Sequence, residues 1–145
     1  MNYKPQSAET NENFARNIKK WVGVEDATLL MMEDYEGRFS NPMVKLMLAG
    51  IRQDSMRHKA ILQTIINAEN EPEVLTPDEL GALAEFIEKH AGIEAGLMDM
   101  VSQVQDQVRN PINRLLLTYL MEDEKKHELI MDGLSEIRAK YMRAT

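Results

Sequence analysis

The sequence contains no cysteine. Disulfides, thiolate zinc sites, iron–sulfur clusters and cysteine nucleophiles are therefore all excluded. Only 7 glycines occur, and they form no glycine-rich phosphate loop and no G-x-S-x-G elbow. Positive charge is also in short supply. The net charge of −7 and a pI near 5.0 disfavour nucleic acid as a partner, because its phosphates demand a basic footprint. No run is long and apolar enough for a membrane span, so no membrane partner is expected. Residues 1–10 are polar and lack the apolar segment of a signal peptide, which points to a cytoplasmic protein.

An apolar content of 43% over 145 residues is enough for one domain with a real core. Residues 1–10 read as a flexible tail and 11–145 as a single domain. A first helical stripe runs Phe14, Ile18, Trp21, Glu25, Thr28, Met32, Tyr35, Phe39, with Glu25 interrupting apolar and aromatic positions. Asn41-Pro42 then supplies an N-cap and a first-turn proline for a second helix. Its stripe is Val44, Leu48, Ile51, Ser55, His58, Leu62, Ile65, and it should fade near Asn67. Thr76-Pro77-Asp78-Glu79 has the form of a capping box and opens a third helix, with an irregular first turn expected at Gly81. That stripe runs Ile87, His90, Glu94, Leu97, Val101, Val104, Val108. Asn110-Pro111 opens a fourth helix extending to about Tyr141, on which Leu117, Leu120, Glu124, His127, Met131 and Leu134 share one face. Nothing reads as a strand. The expectation is an all-α four-helix bundle.

The two halves of the chain match at an offset of 69 without a gap. Ile18-Lys19-Lys20-Trp21-Val22-Gly23-Val24-Glu25 falls on Ile87-Glu88-Lys89-His90-Ala91-Gly92-Ile93-Glu94. Asn41-Pro42 falls on Asn110-Pro111, and Asp54-Ser55-Met56-Arg57-His58 falls on Asp123-Glu124-Lys125-Lys126-His127. Helical periodicity alone would align apolar residues. It would not also align a glycine, an Asn-Pro pair, a glutamate, an aspartate and a histidine. A duplicated helical hairpin is the expected architecture, each copy bringing a glutamate and a histidine onto its apolar seam. Buried there, such groups are costly unless they pair with each other or bind a metal.

In these residues the chain resembles the ferritin-like superfamily of carboxylate-bridged di-metal proteins, rubrerythrin-like domains in particular. That pattern places a Glu on helices 1 and 3 and Glu-x-x-His on helices 2 and 4. The resemblance covers residues 11–142 and implies metal ligation by Glu25, His58, Glu94, Glu124 and His127. It further implies that Asp54 and Asp123 hydrogen-bond the ligand histidines from behind. Two iron or manganese ions per chain are implied, with zinc as an alternative. Ser55 departs from the pattern, standing where a second bridging glutamate belongs. In such bundles the link between helices 2 and 3 runs the length of the bundle. Here that would require roughly 35 Å and is feasible only with helix 2 ending by about Asn67 and helix 3 starting regularly near Leu80; otherwise a short loop and plain up-down connectivity apply.

His90 lies on the same seam, one turn before Glu94, and reads first as a core or bundle-end histidine and second as an extra ligand. Tyr35 and Tyr119 read as packing residues, the eleven methionines as helix-interior or subunit-interface residues, and Glu33, Asp34 and Glu36 as solvated charges. The resemblance implies oxidase, peroxidase or ferroxidase activity on dioxygen or hydrogen peroxide, with an external electron donor because the chain has no cysteine. A homodimer or higher homo-oligomer is expected from the apolar surface. The contrasting expectation is a non-catalytic bundle, degenerate or holding one metal, that works through partner contacts.

Overall fold

The computed structural model describes residues 8–70 and 74–144. Those residues are helical throughout apart from short connections, and no strand occurs among them. None of their helices is long and apolar enough to cross a membrane. The chain divides into two compact units, Met1–Glu73 and Val74–Thr145, and the division falls close to the boundary of the sequence repeat.

The first unit is a hairpin of α1 (Ala8–Tyr35) and α2 (Pro42–Asn70), joined through one 3₁₀ turn at Glu36–Arg38. Helix α1 begins at Ala8, inside the expected tail, and residues 1–7 lie outside the described residues. Asn41 caps α2 as its sequence suggests, its Oδ1 accepting from the amides of Met43 at 2.9 Å and Val44 at 3.2 Å. The 3₁₀ turn is tied to α2 by a two-pronged ion pair, in which Arg52 Nε and Nη2 donate to the Glu36 oxygens at 2.6 and 2.9 Å. Glu36 is thus a structural anchor rather than a solvated charge. The Arg52 guanidinium holds its carboxyl below the usual carboxylate range. Asp34 pairs with Arg38 at 2.6 Å, and the Arg38 guanidinium stacks 4.3 Å from the Tyr35 ring centroid.

The buried residues of this hairpin are Ile18, Glu25 and Met32 on α1 and Ser55 and Leu62 on α2. They recur every seven residues, so they form one narrow seam. The alternate positions of the predicted stripes, Trp21, Tyr35, Ile51 and Ile65, stay exposed. Each helix therefore buries a stripe only half as wide as the one its sequence supplies.

The second unit consists of α3 (Pro77–Glu94), α4 (Leu97–Gln107) and α5 (Pro111–Ala144), with α3 and α4 both packed against α5. The capping box is present in full. Thr76 Oγ1 accepts from the Glu79 amide at 3.3 Å, while the Glu79 carboxylate accepts from the Thr76 amide at 2.7 Å and from its hydroxyl at 2.9 Å. The first turn is regular, contrary to the irregularity expected at Gly81. Asn110 Oδ1 accepts from the Ile112 amide at 2.9 Å, repeating the cap of α2. No described residue of this unit is fully buried.

Two expectations need correction. The third helix does not run unbroken to Val108: it stops at Glu94, Gly96 adopts a left-handed φ of 83°, and α4 restarts at Leu97. A glycine inside a helix costs only about 1 kcal/mol, so the apolar period continues through the break and conceals it. Second, α2 continues to Asn70 and α3 starts at Pro77, which leaves six residues between them.

The Glu79 bonds give a pH-dependent expectation. The Thr76 amide and hydroxyl hold the Glu79 carboxyl below its ordinary value of 4.5. A depressed carboxyl contributes fully above its unfolded pKa, and the contribution is lost as pH falls through the folded value. Thermal melts of Glu79→Ala should fall about 2–4 °C below wild type at pH 7. The gap should close on acidification below the ordinary range. A gap that stays constant down to pH 3 would show that the carboxylate plays no part in the cap.

Candidate metal centre

In the first hairpin, Glu25 is the focus. It is only 7% exposed, on the inner side of α1, and the equally inward Ser55 of α2 is 4% exposed. Glu25 Oε1 accepts from Trp21 Nε1 at 3.0 Å and lies 3.1 Å from His58 Nδ1, while Ser55 adds a hydrogen bond from its side chain. Burial pushes the Glu25 carboxyl up, but the bonds from Ser55, Trp21 and His58, with the charge of His58, outweigh it and leave the group below the usual range. Ser55 is therefore more than a missing ligand. It is one of three donors that hold a buried carboxylate. Trp21 offers a metal no ligand atom and the Ser55 hydroxyl only a weak neutral oxygen, so Glu25 and His58 are the two strong ligands in this set.

In the second hairpin the equivalent positions carry His90, Glu94, Glu124 and His127. His90 Nε2 lies 3.2 Å from Glu94 Oε1, and His127 Nδ1 approaches the same oxygen to 3.7 Å. Glu124 Oε2 is 3.3 Å from His127 Nδ1. One ligand atom each from His90, Glu94 and His127 falls within 4.8 Å of the others. Ligand atoms about 2.0–2.2 Å from an ion in tetrahedral array stand roughly 3.3–3.6 Å apart, and the His90–Glu94 and His127–Glu94 separations of 3.2 and 3.7 Å lie close to that range. The two imidazole rings are nearly perpendicular, at 77° with centroids 6.4 Å apart, and Phe86 lies 5.8 Å from the His90 ring. Glu94 ends α3, and the turn at Gly96 begins just beyond it. A cleft of about 240 Å³ opens beside His90 and Glu94, floored by Ile87 and Met131.

The structure thus pairs Glu25 with His58 in one hairpin and gathers Glu94, Glu124 and His127 in the other. Asp54 lies 3.7 Å from Arg57, and Asp123 lies 2.9 Å from Lys126. His90, which its place on the seam marks first as a core histidine and second as an extra ligand, stands against Glu94 and joins the cluster. The signal was available in the repeat: His90 and Trp21 occupy the same place, each four residues before the seam glutamate and each able to donate to it. Ser55 pairing with a seam carboxylate is what the degenerate-bundle reading expects, whereas the donor role of Trp21 toward Glu25 has no counterpart in the sequence reading.

Comparison of the chain with protein-family models, with curated proteins and with solved structures finds no match.

Proposed function

We propose that this protein is a metal-dependent, ferritin-like helical protein that binds iron or manganese and acts on dioxygen or hydrogen peroxide. The convergence of His90, Glu94 and His127, with Glu124 beside His127, carries this reading. Mixed imidazole and carboxylate donors suit iron and manganese and also accept zinc. What supports the ferritin-like character is the repeated pattern of Glu and His on the helices. A bound redox metal would supply the electron exchange with the oxidant. The protein's own residues hold the donors in place, His90 and Glu94 through their one-turn spacing on α3 and Glu124 and His127 through theirs on α5. The adjoining cleft, lined by His90 and Glu94, gives a small oxidant access to those two donors.

A second reading has an observation of its own. Glu25 is already satisfied by protein donors, and large apolar side chains such as Leu30 and Leu129 stand bare, as in a non-catalytic bundle that works by assembling with copies of itself. Metal analysis of protein purified without added metal separates the two, followed by Fe(II) oxidation with O₂ or H₂O₂ and a sedimentation mass on the same samples. Bound iron or manganese with oxidation faster than free Fe(II) is the expected result, on a homodimer or larger assembly. Zinc or no metal, with oxidation no faster than the buffer control, would leave the non-catalytic reading. A monomer at high micromolar concentration would remove the assembly.

A further inference from the structure

The two hairpins place the same four positions around a seam glutamate but fill them with different chemistry. Around Glu25 stand Trp21, Ser55 and His58; around Glu94 stand His90, Glu124 and His127. At two of these positions a group that can only donate to the carboxylate faces a group that can ligate a metal: Trp21 against His90, and Ser55 against Glu124. The first hairpin consumes its carboxylate in hydrogen bonds and buries it. The second leaves Glu94 27% exposed, shares one oxygen between two imidazoles and opens onto a cleft.

From this contrast we infer that the chain holds one transition-metal ion rather than two, that the ion lies wholly within the second hairpin, and that His90 is one of its ligands together with Glu94 and His127. Glu124 lies at His127 as a second carboxylate, a fourth group that can close the coordination or leave the place to an exogenous ligand. Glu25 and His58 form a hydrogen-bonded pair that steadies the first hairpin and does not contribute to the ion. The inference rests on the metal-binding reading above and specifies the site, the ligand set and the stoichiometry.

The test uses the full chain and Co(II) alone, followed by calorimetry and by the visible absorption of the bound ion. Wild type is expected to bind one Co(II) per chain. His90→Gln should weaken binding at least tenfold and change the cobalt spectrum, whereas Glu25→Gln and His58→Gln should leave affinity within about twofold and the spectrum unaltered. His90→Trp copies the arrangement at Trp21, keeping an N–H donor toward Glu94 while removing the ligand, so it separates loss of a ligand from loss of fold. It should lose the ion as His90→Gln does. Two ions per chain, or loss of binding in Glu25→Gln with none in His90→Gln, would overturn the inference while leaving metal binding intact. No Co(II) bound at millimolar concentration would overturn both, and the cluster would then be an ion-pair network.

Discussion

Replacing Ser55 with glutamate is expected to destabilise the metal-free chain by about 3–5 kcal/mol, the scale of an uncompensated buried charge. Ser55 is 4% exposed and bonded to Glu25, so the new carboxylate would be desolvated beside an existing one and would displace a donor from it. With manganese or cobalt present much of that loss should be recovered. The introduced carboxylate joins Glu25 and His58 to give the first hairpin three ligating groups, as the second already has. Bound metal should rise toward two ions per chain. The thermal midpoint should exceed that of the same variant in chelator, because the ion binds the folded state preferentially. Melting curves and metal content of Ser55→Glu, with and without chelator, decide this. Equal destabilisation in both conditions would show that the position cannot be turned into a metal site.

Metal should also change the stability of the two hairpins unequally. The first has a buried seam of Ile18, Met32 and Leu62 around Glu25, while the second has no fully buried residue among those described. A unit with so little apolar burial of its own gains most from a bound ion. At a free Mn(II) or Co(II) concentration about 100 times its Kd, the gain is about 2.7 kcal/mol, or roughly a hundredfold slower amide exchange through opening of the hairpin. Hydrogen exchange read by mass spectrometry should show this slowing around Ala91–Glu94 on α3 and Glu124–Glu128 on α5, with α1 and α2 unchanged. Equal slowing in both hairpins would mean that the ion is shared. Slowing confined to α1 and α2 would place it on Glu25 and His58.

Much of the local structure was legible in the residues. The caps at Asn41, Thr76 and Asn110 are written in side chains adjacent to the amides they satisfy, so no tertiary information is needed to find them. The repeat likewise identified the seam glutamates and histidines, because one-turn spacing on a helix puts such residues on one face whatever surrounds it. The break at Gly96 was not legible, because an interior glycine and a left-handed glycine look alike in a sequence and only the backbone φ of 83° distinguishes them.

By itself, then, the sequence determined a helical chain of two related halves, their punctuation, and the set of Glu and His side chains from which any metal centre must be drawn. Only the tertiary structure decided what each member of that set touches. It turned Ser55 from a gap in a ligand pattern into a buried donor to Glu25, and His90 from a core histidine into a neighbour of Glu94 within 4.8 Å of His127. The physical reason is that helical periodicity fixes the direction of a side chain only to a face. Whether a carboxylate on that face is spent on hydrogen bonds or left for an ion depends on donors from the facing helix, at distances that the order of residues along one helix does not contain.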